Sequence, residues 1–142
     1  AGDVKNVLYA GARLLGTPYG TADGELDCSA FVAAAYRNAG VPKTVYPQSY
    51  SDGTLTWYRT NHPEKLHETT ENDWKKWTPG SVLIYINDST GKGSHLSLYV
   101  GEIDGYPVVM ESRRSICDGV RLGYLMGSDA NWDLCYYVDP LG

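Results

Sequence analysis

Asp27-Cys28-Ser29-Ala30-Phe31-Val32-Ala33-Ala34-Ala35-Tyr36-Arg37-Asn38-Ala39-Gly40 is the stretch on which the fold turns. Its alanines and long apolar side chains predict a helix over residues 28–39, closed by Gly40. Apolar residues lie nearly all round that helix, so it should be buried. Upstream, Val4, Val7, Leu8, Ala12 and Leu15 recur at helical spacing and predict an amphipathic helix over residues 3–15, stopped by Gly16-Thr17-Pro18. A loop rich in Gly and Asp, residues 19–26, joins the two helices. Downstream, residues 43–78 are polar and aromatic with little periodicity and read as a long surface excursion. The pattern then changes to short β-branched or aromatic runs at 81–87, 95–102, 107–113, 119–125 and 134–139, separated by Gly, Asp or Asn turns. Helices first and strands afterwards predict an α+β domain with the helices on one face of an antiparallel meander.

Composition narrows the function. The chain has 142 residues, enough to bury a core without covalent staples, so its three cysteines are not needed for stability. An odd count cannot be closed entirely into internal disulfides, which leaves at least one thiol as a core residue or a reactive group. A net charge of -5 and a pI near 5.0 provide no basic field for nucleic acid or an anionic membrane surface. The longest apolar runs, such as SVLIYI at residues 81–86, are too short to cross a bilayer, and the start does not read as a signal peptide. A soluble chain is therefore expected, mature or excised from something longer. Twelve Tyr and four Trp against one Phe favour rings with a polar edge, suited to a wet groove for glycan or peptide.

The three cysteines differ in setting. Cys28 stands at the predicted head of a helix, where free backbone N–H groups and the positive end of the helix dipole favour a thiolate. A thiolate there can attack a carbonyl carbon, and the same N–H groups can hold the oxyanion. Cys117 and Cys135 fall in or beside strands, where a cysteine is a small buried hydrophobe or half of a mutual disulfide.

A base must come from His62, His67 or His95. His62 and His67 sit in the run HPEKLHE, residues 62–68, which lacks the HExxH spacing of a zinc site, and they read as solvated. His95 opens a strand in which His95, Ser97 and Tyr99 share one face while Leu96, Leu98 and Val100 point to the core. From a strand start His95 can reach a helix N-terminus; the alternative is a histidine satisfied by a neighbouring carbonyl. Glu111, the polar residue of the run PVVMESR, either accepts from the second imidazole nitrogen or only pairs with Arg113 or Arg114.

The runs LGTPYG (15–20), DCSAFVAAAYRNAGV (27–41), PGSVLIY (79–85), HLSLYVGE (95–102), VVMES (108–112) and GVRLGYL (119–125), in that order, resemble the NlpC-type family of bacterial cell-wall cysteine peptidases. The resemblance extends over residues 14–125. It implies a papain-like α+β fold, with N-terminal helices packed on one face of a five- to six-stranded antiparallel sheet. Residues 1–142 are then a single NlpC-type catalytic domain, complete in itself or excised from a multidomain protein. It also implies a Cys28–His95 pair, with Glu111 in the third catalytic position, where family members more often carry His, Asn or Gln.

The implied substrate is the peptidoglycan stem peptide, cut between D-isoglutamate and the following diamino acid, without metal or other cofactor. Tyr19, Asp27 and Ser29 match substrate-binding positions of the family. Asp27 and Ser29 are also the residue types that cap a helix. Ala30 and Ser97 replace family glycines and tighten the space near the site, so Ser97 joins the expected substrate-binding set. Gly20-Thr21-Ala22-Asp23-Gly24 stands where the family has WGG, and the 43–78 excursion is longer than typical. Its Trp57, Tyr58, Trp74 and Trp77 read as a groove wall or as packing beneath the loop.

These expectations place the protein at the bacterial cell wall, secreted, periplasmic, or delivered by a phage or secretion system. It would be a monomer that neither binds nucleic acid nor inserts into membrane, and an immunity or inhibitor protein would accompany it if it is a delivered toxin. Amidase or acyltransferase chemistry on the same fold is the alternative, and a non-catalytic wall-binding module is a further one.

Overall fold

Three helices lie against a six-stranded sheet in the computed structural model, which describes residues 2–114, 118–126 and 131–142. The helices are α1 (Gly2–Ala12), α2 (Cys28–Asn38) and α3 (Ser51–Asn61). The strands are β1 (Leu66–Glu68), β2 (Val82–Asn87), β3 (Gly93–Ile103), β4 (Tyr106–Arg113), β5 (Gly119–Tyr124) and β6 (Trp132–Val138). Both ends of α2 are written in its sequence. Asp27 caps its start, Oδ1 accepting from the Ala30 N–H at 2.8 Å. At the other end Gly40 takes φ +83°, and the Gly40 and Val41 N–H groups donate to Arg37 O and Tyr36 O at 3.0 and 3.1 Å, a Schellman closure.

The sheet order is β1-β6-β2-β3-β4-β5, antiparallel throughout. The expected meander accounts for β2 to β5, but β6 returns to pair with β2, and β1 adds a further edge. Helix α2 buries Phe31, Val32, Ala35 and Tyr36 against Val82 and Ile84 of β2 and Leu96 and Leu98 of β3. Full burial of one such side chain is worth about 1.5–3 kcal/mol.

The 43–78 segment departs most from the sequence reading. It contains α3 and β1, and its rings are packing elements, not a groove wall. Tyr58 and Trp77 are 0% and 4% exposed, with Trp57 and Trp74 packed against the two apolar clusters. Helix α3 escapes sequence analysis because SDGTLTWYRTN is polar on average, and Tyr50 before it makes no side-chain cap. Leu55 and Tyr58 nevertheless form its buried face.

The excess of tyrosine has the same explanation. Tyr36 stacks on Tyr46 with centroids 4.5 Å apart, and the hydroxyls of Tyr36, Tyr58 and Tyr85 donate to the carbonyls of Gly80, Val45 and Met126. Polar edges here let the rings of Tyr36, Tyr58 and Tyr85 be buried with their hydroxyls satisfied.

The β3 alternation is as expected, with Leu96 and Leu98 towards the helices. The opposite face is buried too: Trp74 and Trp77 fold over Leu83, Tyr85, Tyr99, Val109 and Leu134. His95, Ser97 and Tyr99 are consequently only 3%, 0% and 3% exposed. Among the described residues, no helix is long and apolar enough to cross a membrane.

Candidate active site

Cys28 is the first residue of α2, and its side chain is 7% exposed. Sγ lies 3.4 Å from Ser51 Oγ and 4.0 Å from Ser94 O. Ser51 is the first residue of α3, so two helix heads converge on the sulfur. Burial pushes the thiol pKa up, but the hydrogen bond and charge of His95, with smaller help from Ser51 and the Leu96 backbone, outweigh it and hold the pKa below the ordinary thiol value.

His95 Nε2 lies 2.7 Å from Glu111 Oε1. An ionised carboxylate only accepts, so Nε2 carries the proton and Nδ1 is left for the thiol. The ring sits between Trp132, edge-on with centroids 4.4 Å apart, and Tyr85 at 5.3 Å. Burial alone would lower the imidazole pKa; hydrogen bonds and charge from Cys28 and Glu111 reverse this and raise it.

Glu111 is 1% exposed and meets both alternatives drawn from sequence. Oε1 faces His95 and, at 3.3 Å, Arg113 Nε, while Oε2 accepts from Arg121 Nη1 at 2.6 Å. Burial opposes its ionisation, but His95 and the two guanidiniums overcome that and hold the carboxyl below the usual range. Arg114 does not join this cluster; its guanidinium lies over the Tyr19 ring, 4.7 Å from the centroid.

Tyr19, Cys28, His95, Arg114 and Trp132 line one open cleft of about 320 Å³. The Tyr19 hydroxyl is held above its ordinary pKa, first by burial and then by nearby Cys28 and Asp27, with Arg114 opposing. Asp27 and Ser29 do not line that cleft. The Asp27 carboxylate is engaged as a cap, accepting from Ala30 N and, at 3.1 Å, from Ser29 Oγ, and the two residues line a second hollow with Gln48, Ser49 and Tyr50. Ser97 lies away from any surface. Two residues beyond His95, it is 0% exposed and sits opposite Leu83, apart from the residues that line the cleft.

Neither of the other histidines lines the cleft: His62 pairs with Glu64 at 3.2 Å and packs on Trp57, while His67 is exposed. Cys135 is a free, half-buried thiol whose pKa is raised, chiefly by burial. Cys117 lies outside the described residues. Among those described, no three His, Cys, Asp or Glu side chains are grouped to hold a metal ion.

Sequence reading missed Ser51, Trp132 and Arg121. Ser51 was hidden with its helix. Trp132 lies just before the expected start of the last strand. Arg121 had a signal: both hairpin strands were legible, and their pairing sets Glu111 directly opposite Arg121.

No curated protein matches the chain in sequence. Among solved structures, an N-acetylmuramoyl-L-alanine amidase from Bacteroides uniformis superposes with a TM-score of 0.64 at 13% identity, over 96% of this chain and 98% of that one. At that identity the likeness is one of fold. The NlpC/P60 family matches residues 16–113, which hold Tyr19, Cys28, His95 and Glu111. That match spans more than half of the sequence, and the chain therefore belongs to the NlpC/P60 family of cell-wall hydrolases.

Proposed function

We propose that the protein is a peptidoglycan endopeptidase that hydrolyses stem peptides at the γ-D-glutamyl bond to a diamino acid through a Cys28 thiolate. The observation that carries this reading is His95, bonded at 2.7 Å to the buried, arginine-held Glu111, lining the same cleft as Cys28 at the head of α2. Cys28 Sγ attacks the amide carbonyl. The oxyanion collects on backbone N–H groups at the head of α2, with the Tyr19 hydroxyl at the cleft wall as a further donor. Imidazolium then gives its Nδ1 proton to the departing amine, and His95 next takes a proton from the water that opens the thioester. Glu111 holds the ring and balances its charge throughout.

A second reading, hydrolysis of the bond between the glycan lactyl group and the first alanine, is favoured by the amidase that shares the fold. The two differ in product: an endopeptidase truncates the stem, whereas an amidase frees it whole from the glycan. Sacculi digested with wild type and with Cys28→Ser, followed by mass spectrometry of the soluble fragments, decide between them. Equal release by both proteins would overturn the thiolate mechanism.

A further inference from the structure

The geometry points to Arg114, its guanidinium held over the Tyr19 ring, as the residue that reads a free carboxylate of the substrate beside the scissile amide. This rests on the hydrolase reading above and names the chemistry it selects. The sequence carries a net charge of -5, yet among the described residues lining the cleft the fixed charges are guanidiniums, those of Arg113 and Arg114. Opposite sign at a cleft mouth, on a molecule of this net charge, favours an anionic ligand.

The two arginines do not share the work. Arg113 is 5% exposed and turned inward, its Nε 3.3 Å from Glu111, its Nη1 3.4 Å from Met126 Sδ and its guanidinium 4.7 Å over the Trp132 ring. Arg114 is exposed, with its guanidinium carbon 4.7 Å from the Tyr19 ring centroid, a cation–π contact that holds the group beside the cleft. Its planar fork of N–H donors matches a carboxylate in two parallel hydrogen bonds.

Backbone ties fix this pair relative to the sulfur. Ser112 Oγ donates to Leu26 O at 2.6 Å, joining the end of β4 to the segment that leads into Cys28. Leu26 N donates to Pro18 O at 2.9 Å and Tyr19 N to Asp118 O at 3.0 Å. Tyr19, Arg114 and Cys28 thus share one frame. A γ-linked glutamyl residue suits it: the acyl group that joins Sγ carries its own free α-carboxylate a few bonds away. The corresponding α-carboxamide offers no charge to Arg114 and adds donors facing donors.

The test uses one stem peptide in two forms, α-carboxylate and α-carboxamide, with wild type, Arg114→Gln and Arg114→Glu. Wild type should prefer the acid by about 10-fold in kcat/KM, the scale of one charged hydrogen-bonded contact. Arg114→Gln should bring the acid-to-amide ratio down to about 1; Arg114→Glu should invert the preference. An acid-to-amide ratio that is the same in wild type and Arg114→Gln overturns the inference. Calorimetric titration of Cys28→Ala, with and without Arg114→Gln, reads the same ratio without turnover. Failure of wild type to cleave either peptide would then count against the hydrolase reading, while the binding ratio still judges Arg114. Absence of binding to both forms overturns the assignment as well.

Discussion

Replacing Glu111 with glutamine removes one charge and no volume, at the point where the site is most tightly determined. Both oxygens of Glu111 are engaged: Oε1 accepts from His95 and lies 3.3 Å from Arg113 Nε as an ion pair, and Oε2 accepts from Arg121. An amide has one acceptor and one donor end. If its NH₂ faces His95, the imidazole must turn its lone pair to Nε2 and its proton to Nδ1, which disables it as a base for Cys28. If the NH₂ faces Arg121, two donors oppose each other in a buried site. Loss of the charge acts in either orientation, because an opposite charge at this range is worth about 1–3 pKa units to its partner. The His95 pKa should fall and that of Cys28 rise, so the pH window of the thiolate–imidazolium pair, bounded below by Cys28 and above by His95, narrows from both sides.

Near neutrality kcat should drop about 10²–10³-fold, with KM little changed. Stability should fall by about 3–5 kcal/mol, since Arg121 loses the carboxylate to which it donates and Arg113 loses its ion pair with Glu111, a loss most folded domains survive. Hydrolysis of a stem peptide followed from pH 5 to 10, together with urea denaturation, measures both effects. Adding Arg121→Met to Glu111→Gln removes an uncompensated cation and should recover stability without activity. Activity within threefold of wild type across the pH range, or recovery of activity along with stability in the double variant, would refute this account.

Asp27→Ala removes the side-chain acceptor at the head of α2 and should lower stability by about 1 kcal/mol in urea denaturation, whereas Asp27→Asn should retain most of it. Ser51→Ala takes away the hydroxyl 3.4 Å from Cys28 Sγ. Its contact helps lower the thiol pKa, so thiolate absorbance against pH should show ionisation moving upward, and an unmoved curve would exclude Ser51 from the site. Acid stability should depend on Glu111. Its folded pKa lies below the ordinary 4.5, so its contribution is full above that value and is lost as pH falls through the lowered one. The denaturation midpoint of wild type should therefore decline below about pH 4.5 more steeply than that of Glu111→Gln, and parallel declines would contradict the assignment.

The features legible in the sequence are those fixed by neighbours along the chain. Helix α2 carries its own cap and its own stop, and β2 to β5 announce themselves as short β-branched or aromatic runs set off by turn residues. The thiol at the head of a capped helix and the histidine at the opening of a strand are local facts of the same kind, so Cys28 and His95 could be singled out before any coordinates. Side chains that act through distant partners could not. Helix α3 has a polar sequence and is held by packing Leu55 and Tyr58 into a core that the rest of the chain supplies. Ser97 alternates correctly with His95 yet is sealed from the cleft, because tryptophans remote in sequence cover that face. Glu111 was visible as a polar residue in an apolar run, but strand register decided that its carboxylate would meet His95 on one side and Arg121 on the other. Local chain geometry is encoded residue by residue; the charge, burial and contact partners of each group in the cleft depend on segments brought together only by folding.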